Sequence, residues 1–262
     1  MTLRLVLVGW GVIGAEVARL LSPAVTLVGV AIRDVGLARN GLGDVPLIHD
    51  PSALATLAPD LVVEAAGRAA VLPWGRAALE AGADFAPAST SAFAVDAVLA
   101  ELVGLAKAAG RQVLIPPGAL GGMDALAAAS LLRLESVVHE VVKPAAAWRG
   151  TKAEGLCDLA GLMEAFVFFT GTARQAAAEY PQNANVALIS ALAGMGPDLT
   201  EVRLVADPAA QLNRHRVIAQ GDFGRLEITL DNKPFAANPK TSALTALSLV
   251  RLIENRIAPL VI

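Results

Sequence analysis

Two groups of residues in this chain have the types and spacing for chemistry: the glycines Gly9-x-Gly11-x-x-Gly14 and the polar residues around His215. The glycines follow a short apolar strand, LRLVLV, and open a helix containing AEVARLL. In that setting the spacing is a dinucleotide-binding fingerprint. Gly9 allows the tight turn, Gly11 lets the backbone approach a pyrophosphate, and Gly14 lets the helix lie close to the sheet. The first helical N–H groups, at Val12 and Ile13, add the positive end of the helix dipole. Roughly twenty positions beyond Gly14, where this fold reads the ribose, stand Arg33 and Asp34. An aspartate accepts from the 2′-hydroxyl of NAD and an arginine favours the 2′-phosphate of NADP, so either cofactor is open. Ala66 and Gly67 close the strand DLVVEAA, and Ser89, Thr90 and Ser91 close the next one. Such strand ends form the cofactor side of the sheet, which makes Ala66, Gly67 and Ser89 candidate contacts.

A bound dinucleotide implies hydride transfer, and the second half of the chain must then supply the substrate pocket. Polar residues gather at its turns: Asn183, Asn185, Asp207, Asn213, His215, Asn238, Lys240 and Thr241. His215 is the best general acid or base among them, because histidine titrates near neutrality. It opens a strand after the polar loop DPAAQLNRH, where it could equally be an ordinary exposed edge residue. His139, inside VVHEVV, reads as a structural position of an alternating strand, and His49 as a loop residue. Asn183 and Asn185 flank a helix start, where one suffices as a cap. No metal-ligand spacing and no GxSxG elbow occurs, so no metal and no Ser or Cys nucleophile is expected.

The elements that must position these residues follow from patterning. Residues 1–116 alternate apolar strands (25–33, 60–66, 84–89, 111–117) with helices, which predicts a Rossmann domain with a mostly parallel sheet. Pro116-Pro117-Gly118 marks a junction. Beyond it, strands at 137–143, 165–170, 200–207, 215–221 and 224–230 predict an α+β catalytic and dimerisation domain over 117–240 with a mixed or antiparallel sheet. The last two strands form a hairpin through Asp222-Phe223. A helix within 241–262 is expected to pack back on the first domain. The overall class is α/β. Net charge is −3 with scattered Lys and Arg, which argues against nucleic-acid or membrane partners. The single Cys157 and the missing signal-peptide pattern fit the cytoplasm.

Several motifs, in order along almost the whole chain, add a resemblance: GWGVIG (9–14), PPGALGGMDAL (116–126), YPQNANVA (180–187), ALAGMGPDLT (191–200), ADPAAQLNRH (206–215), GDFG (221–224) and NPKTSALT (238–245). The chain resembles the L-aspartate dehydrogenase family. The resemblance implies a homodimeric NAD(P)-dependent oxidoreductase that converts L-aspartate to iminoaspartate, for pyridine nucleotide biosynthesis or hydrolysis to oxaloacetate and ammonia, or runs in reverse. It makes His215 the catalytic histidine, with Asn213 in the same Asn-x-His pair. It puts Asn185 at the nicotinamide ribose, and Gly118, Ala119 and Gly121 near the substrate carboxylates; by their charge, Lys143 and Lys240 are candidate partners for those carboxylates. Ser91, Pro117 and Val142 depart from the usual glycine, serine and arginine of the family. The alternatives are a dehydrogenase of another small dicarboxylate or amino acid, and a non-catalytic NAD(P)-binding protein.

Overall fold

The structure, a computed structural model, describes residues 2–33, 41–181, 184–235 and 238–261, with backbone alone at 234 and 238–241. It divides into two units, Met1–Gly118 with Thr245–Ile262, and Ala119–Leu244.

In the first unit, strands β1 (Leu3–Val8), β2 (Val25–Ala31), β3 (Leu47–Ile48), β4 (Leu61–Glu64) and β5 (Asp84–Pro87) form one sheet in the order β3-β2-β1-β4-β5. Every pairing is parallel. Helices α1 (Val12–Leu20), α2 (Leu54–Leu57), α3 (Arg68–Glu80) and α4 (Asp96–Ala109) connect them. β4 and β5 are buried at all positions, as expected of strands covered on both faces, with an acid at one end of each, Glu64 and Asp84, among otherwise apolar residues. Strand order reverses between β1 and β4, so the ends of those two strands flank the switch point where this fold binds ligands. The predicted strand over 111–117 is reduced to one bridge, Phe85 to Val113. Pro116 and Pro117 lack the N–H groups needed to extend it.

The second unit holds α5 (Met123–Ala129), β6 (Leu134–Pro144), β7 (Phe166–Thr172), α6 (Ala173–Glu179), α7 (Ala184–Ala193), β8 (Glu201–Asp207), β9 (Asn213–Gly221) and β10 (Gly224–Asn232). A short ribbon of β11 (Pro234–Phe235) and β12 (Asn238–Ser242) follows, and α8 (Ala243–Glu254) ends the elements. The main sheet runs β10-β9-β6-β8-β7, with β6 and β8 parallel and the other pairs antiparallel. It is a mixed sheet. Its inner face packs on α6 and α7 around Trp148, Tyr180, Val141 and Leu204. Trp148 is anchored there by its indole N–H, which donates to the Val205 carbonyl at 2.9 Å. The outer face is laddered with ion pairs, including Arg203 and Arg216 on Glu140 (3.4 and 3.0 Å) and Arg214 on Asp231 (2.7 Å). Exposed pairs of this kind add little stability each, but they leave no doubt which face meets water.

From Thr245 onward the chain belongs to the first unit again. There α8 buries Ala246, Leu249 and Ile253, Glu254 accepts from the Ser22 N–H at 3.2 Å, and Arg256 pairs with the buried Asp84 carboxylate. Among the described residues no helix is long and apolar enough to cross a membrane.

Candidate active site

Side chains alternate along strands, so register decides which residues share a face. In the second unit Val141 lies opposite His215, His139 opposite Val217, and His215 opposite Leu230. Odd positions of β6 and β9 therefore point to the same inner side. This brings His139, Lys143, Asn213 and His215 onto one face.

His215 is 6% exposed and His139 fully buried. The Nε2 of His139 is 3.1 Å from Nδ1 of His215, and the Nδ1 of His139 is 2.9 Å from the Ser190 hydroxyl on α7. Burial holds the His139 pKa down at about 4. Burial also takes His215 well below the ordinary histidine range, helped by the neighbouring His139 and Lys143 charges. Both rings are therefore neutral at physiological pH. The sequence reading puts His139 at a structural position in the strand, and the register sets that position directly behind His215. A repeated apolar-His pattern on two strands was the only hint, and it carries no information about which strands are neighbours.

Lys143 is half-buried, with its ammonium 5.0 Å from the centroid of the Trp148 ring. The ring face favours the cation, while burial lowers the lysine to about 8. Ala119 and Gly121 lie in the segment that crosses the same side of β10. Asn232, paired in register with Asn213, donates to the Ala119 carbonyl at 2.9 Å and accepts from the Ser242 hydroxyl at 3.1 Å. Gly122 has φ +65, a backbone conformation that other residues rarely adopt, and an added Cβ would meet the tip of the Ile228 side chain. Asn232 and Ser242 were not singled out from sequence, since a buried asparagine at a strand end looks like any turn residue. Gly118, at φ +62, is the last residue of the first unit before the junction. Asn185 is exposed in the first turn of α7. Lys240, Asn238 and Thr241 lie in β12, where only the backbone is described. Asp207 accepts from the Ala209 N–H at 2.8 Å, a turn function that accounts for it. Asp34 and Asn183 fall outside the described residues.

In the first unit the three glycines separate by role. Gly9 has φ +100, and a Cβ on it would sit 2.8 Å from the Ala65 carbonyl oxygen. A Cβ on Gly14 would overlap the Gly9 carbonyl. Gly11, the N-cap of α1, has nothing within 4 Å of that position and no side chain caps the helix. Among the described residues the approach at Gly11, where the helix begins, is therefore unobstructed, as an incoming pyrophosphate requires. The residues present fit a dinucleotide. Arg33 is exposed at the end of β2, and His49 is held by Ile32, its Nδ1 3.2 Å from that carbonyl.

The contacts at Ala66, Gly67 and Ser89 are narrower than their positions suggested. The fully buried Glu64 carboxylate accepts the N–H groups of Ala66 and Gly67 at 2.7 Å each. It also accepts the Ser89 hydroxyl at 3.0 Å and its N–H at 3.2 Å. Burial raises the Glu64 pKa and these donors oppose the rise. Those hydrogens hold two loops together, which leaves carbonyl and hydroxyl lone pairs for a ligand. Glu64, an acid at the end of an otherwise apolar strand, was the visible signal.

A family model described as "Aspartate dehydrogenase, C-terminal" matches residues 124–256, and one described as "Homoserine dehydrogenase, NAD binding domain" matches residues 9–116. An L-aspartate dehydrogenase of Brucella anthropi is 56% identical, over 98% of this chain and 98% of its own length. The chain belongs to the aspartate dehydrogenase family. A second member, from Pseudomonas aeruginosa, is 44% identical over 97% of each chain. The crystal structure of the family's Thermotoga maritima member superposes with a TM-score of 0.79 at 26% identity, covering 100% of both chains. Its agreement in fold extends through both units.

Proposed function

We propose that this chain oxidises L-aspartate to iminoaspartate with NAD or NADP, or runs that reaction in reverse, and that His215 is its acid–base residue. The observation that carries the reading is a neutral, nearly buried His215 on the same sheet face as the Lys143 ammonium and Asn213. Removing a hydride from the α-carbon requires the adjacent nitrogen to have its lone pair free, so the substrate ammonium must first give up a proton. A neutral imidazole can take it, release it to solvent, and then take a proton from water attacking the imine carbon. Bound NAD or NADP supplies the hydride-accepting carbon, and Gly11, Val12 and Ile13 would hold its pyrophosphate. Lys143, Lys240 and the backbone N–H groups between Gly118 and Gly122 offer positive partners for two carboxylates, and Asn213 a polar neighbour to the reacting nitrogen. Asn185 would contact the nicotinamide ribose, and Arg33 with Asp34 would decide between NAD and NADP.

The test is L-aspartate-dependent reduction of NAD and NADP, measured beside other small dicarboxylates and amino acids. A clearly higher kcat/KM for one of those would overturn the substrate assignment. His215→Ala should lower kcat by about 10²–10⁴-fold and leave dinucleotide affinity unchanged. The homodimer is part of the same reading. Edge strand β7 exposes Phe166 and Val167, with Met163 just before it, and an apolar edge of this kind suits burial against a second copy. Light scattering should give twice the chain mass, and a monomer at micromolar concentration would count against it. The single Cys157 and the absence of any need for a disulfide suit a reducing cytoplasm.

A further inference from the structure

We propose that Ser190 and His139 are positioning residues that fix the tautomer of His215, with the proton on Nδ1 and the lone pair on Nε2. The argument follows one hydrogen at a time from the helix outward. A serine hydroxyl has a single proton. That of Ser190 has two carbonyls of its own helix in range, Ala187 at 3.0 Å and Val186 at 3.3 Å, the usual acceptors for a helical serine. With that proton directed at the helix, Ser190 presents only lone pairs to His139, 2.9 Å away. The Nδ1 of His139 must then carry hydrogen and donate. A neutral imidazole has one N–H, so the Nε2 of His139 is bare and accepts. Its partner at 3.1 Å, Nδ1 of His215, is accordingly the donor. What remains on neutral His215 is a basic Nε2.

The arrangement has a physical rationale apart from catalysis. Two buried rings carry four nitrogens, and each one left unpaired forfeits the hydrogen bond it would make to water. Alternation of donor and acceptor along Ser190, His139 and His215 pairs three of the four and leaves open the one that reacts. The oriented partner here is a neutral imidazole where many enzymes use a carboxylate. A carboxylate would strongly favour the imidazolium, whereas His139 orients the ring without adding negative charge. The titratable groups facing the pair are few among the described residues. Lys143 shares the face from β6. The inward positions of β10 are Leu226, Ile228, Leu230 and Asn232, α7 and the 119–122 segment contain no ionisable side chain, and Asp124 of α5 is exposed. The opposite chain of hydrogens, with Ser190 donating to His139, would put the proton on Nε2 of His215 and leave no lone pair there to act as a base.

The inference rests on the reading of His215 as the base, but its decisive test needs no substrate. The protein contains three histidines, so long-range 15N–1H correlation of the intact protein can assign each ring. His215 should show a protonated Nδ1 and a bare Nε2 at neutral pH. A protonated Nε2 would overturn the proposal while leaving the substrate assignment untouched. His139→Leu and Ser190→Ala should both shift His215 towards a mixture of tautomers. His139→Gln, which can accept from His215 and donate to Ser190, should restore the single form. In turnover assays His139→Leu should lower kcat about ten- to a hundred-fold, part of the ~10²–10⁴ that a positioned base supplies, with KM little changed and His139→Gln in between. A folded His139→Leu protein with wild-type His215 resonances and kcat would equally overturn it. The wild-type spectrum alone decides the matter if a variant fails to fold.

Discussion

At Lys143, burial and charge pull in opposite directions. The ammonium needs solvent or an anion, yet it lies half-buried over Trp148 and titrates at about 8. Below that value it is a cation ready for a carboxylate, and above it the charge is lost. KM for L-aspartate should therefore rise as pH passes through about 8. In Lys143→Gln that alkaline limb should vanish and KM should be about ten-fold higher at neutral pH, the scale of one charge-assisted hydrogen bond. An unchanged KM in the variant would remove Lys143 from the substrate site. Glu64 illustrates the complementary case, in which four donors converge on one buried carboxylate. Its work is to set the loops after β4 and β5, and it leaves Ser89 with lone pairs only for a ligand.

At the scale of elements, the turn from β1 into α1 separates structural from functional glycines. A Cβ at Gly14 overlaps backbone, whereas one at Gly11 meets empty space. Gly14→Ala should lower Tm and expression. Gly11→Ala should leave Tm essentially unchanged and weaken dinucleotide binding, because the added methyl occupies the approach of the phosphates. Calorimetry and a fluorescence titration of each variant distinguish the two. The reverse pattern would mean that Gly11 is not the point of approach. This loop was legible in advance, since the glycine spacing is local and its geometry follows from chain stiffness alone. The strand expected over 111–117 was misread for an equally local reason that was visible and outweighed, namely the two prolines at its end. In the second unit β6, β9 and β10 matter through their register, and a slip of one residue would turn His139, Lys143 and His215 into the charged outer face.

For the whole molecule, the buried histidines couple folding to pH. His139 titrates at about 4 when folded, against 6.5 for an unperturbed ring. Between those values the unfolded chain binds more protons than the folded one, so stability is complete above 6.5 and falls as pH drops towards 4. His139 alone accounts for on the order of 3 kcal/mol over that range, and His215 shifts in the same direction. Denaturant midpoints measured between pH 7 and 4 should fall steeply, and less so in His139→Leu. A flat profile would show that the rings are not buried in the neutral form. What the sequence by itself determined was the cofactor class, the alternation of elements in the first unit, and the identity of His215 as the candidate base. Each rests on local spacing or on a run of motifs. Only the tertiary structure decided that His139 and Ser190 stand behind His215, that Asn232 ties down Ala119, and that Glu64 takes the donors of two loops. Apart from the local bond of Glu64 to the Ala66 N–H, these contacts join residues 25 to 113 positions apart, and strand order and register, which local patterning does not encode, bring them within hydrogen-bond reach.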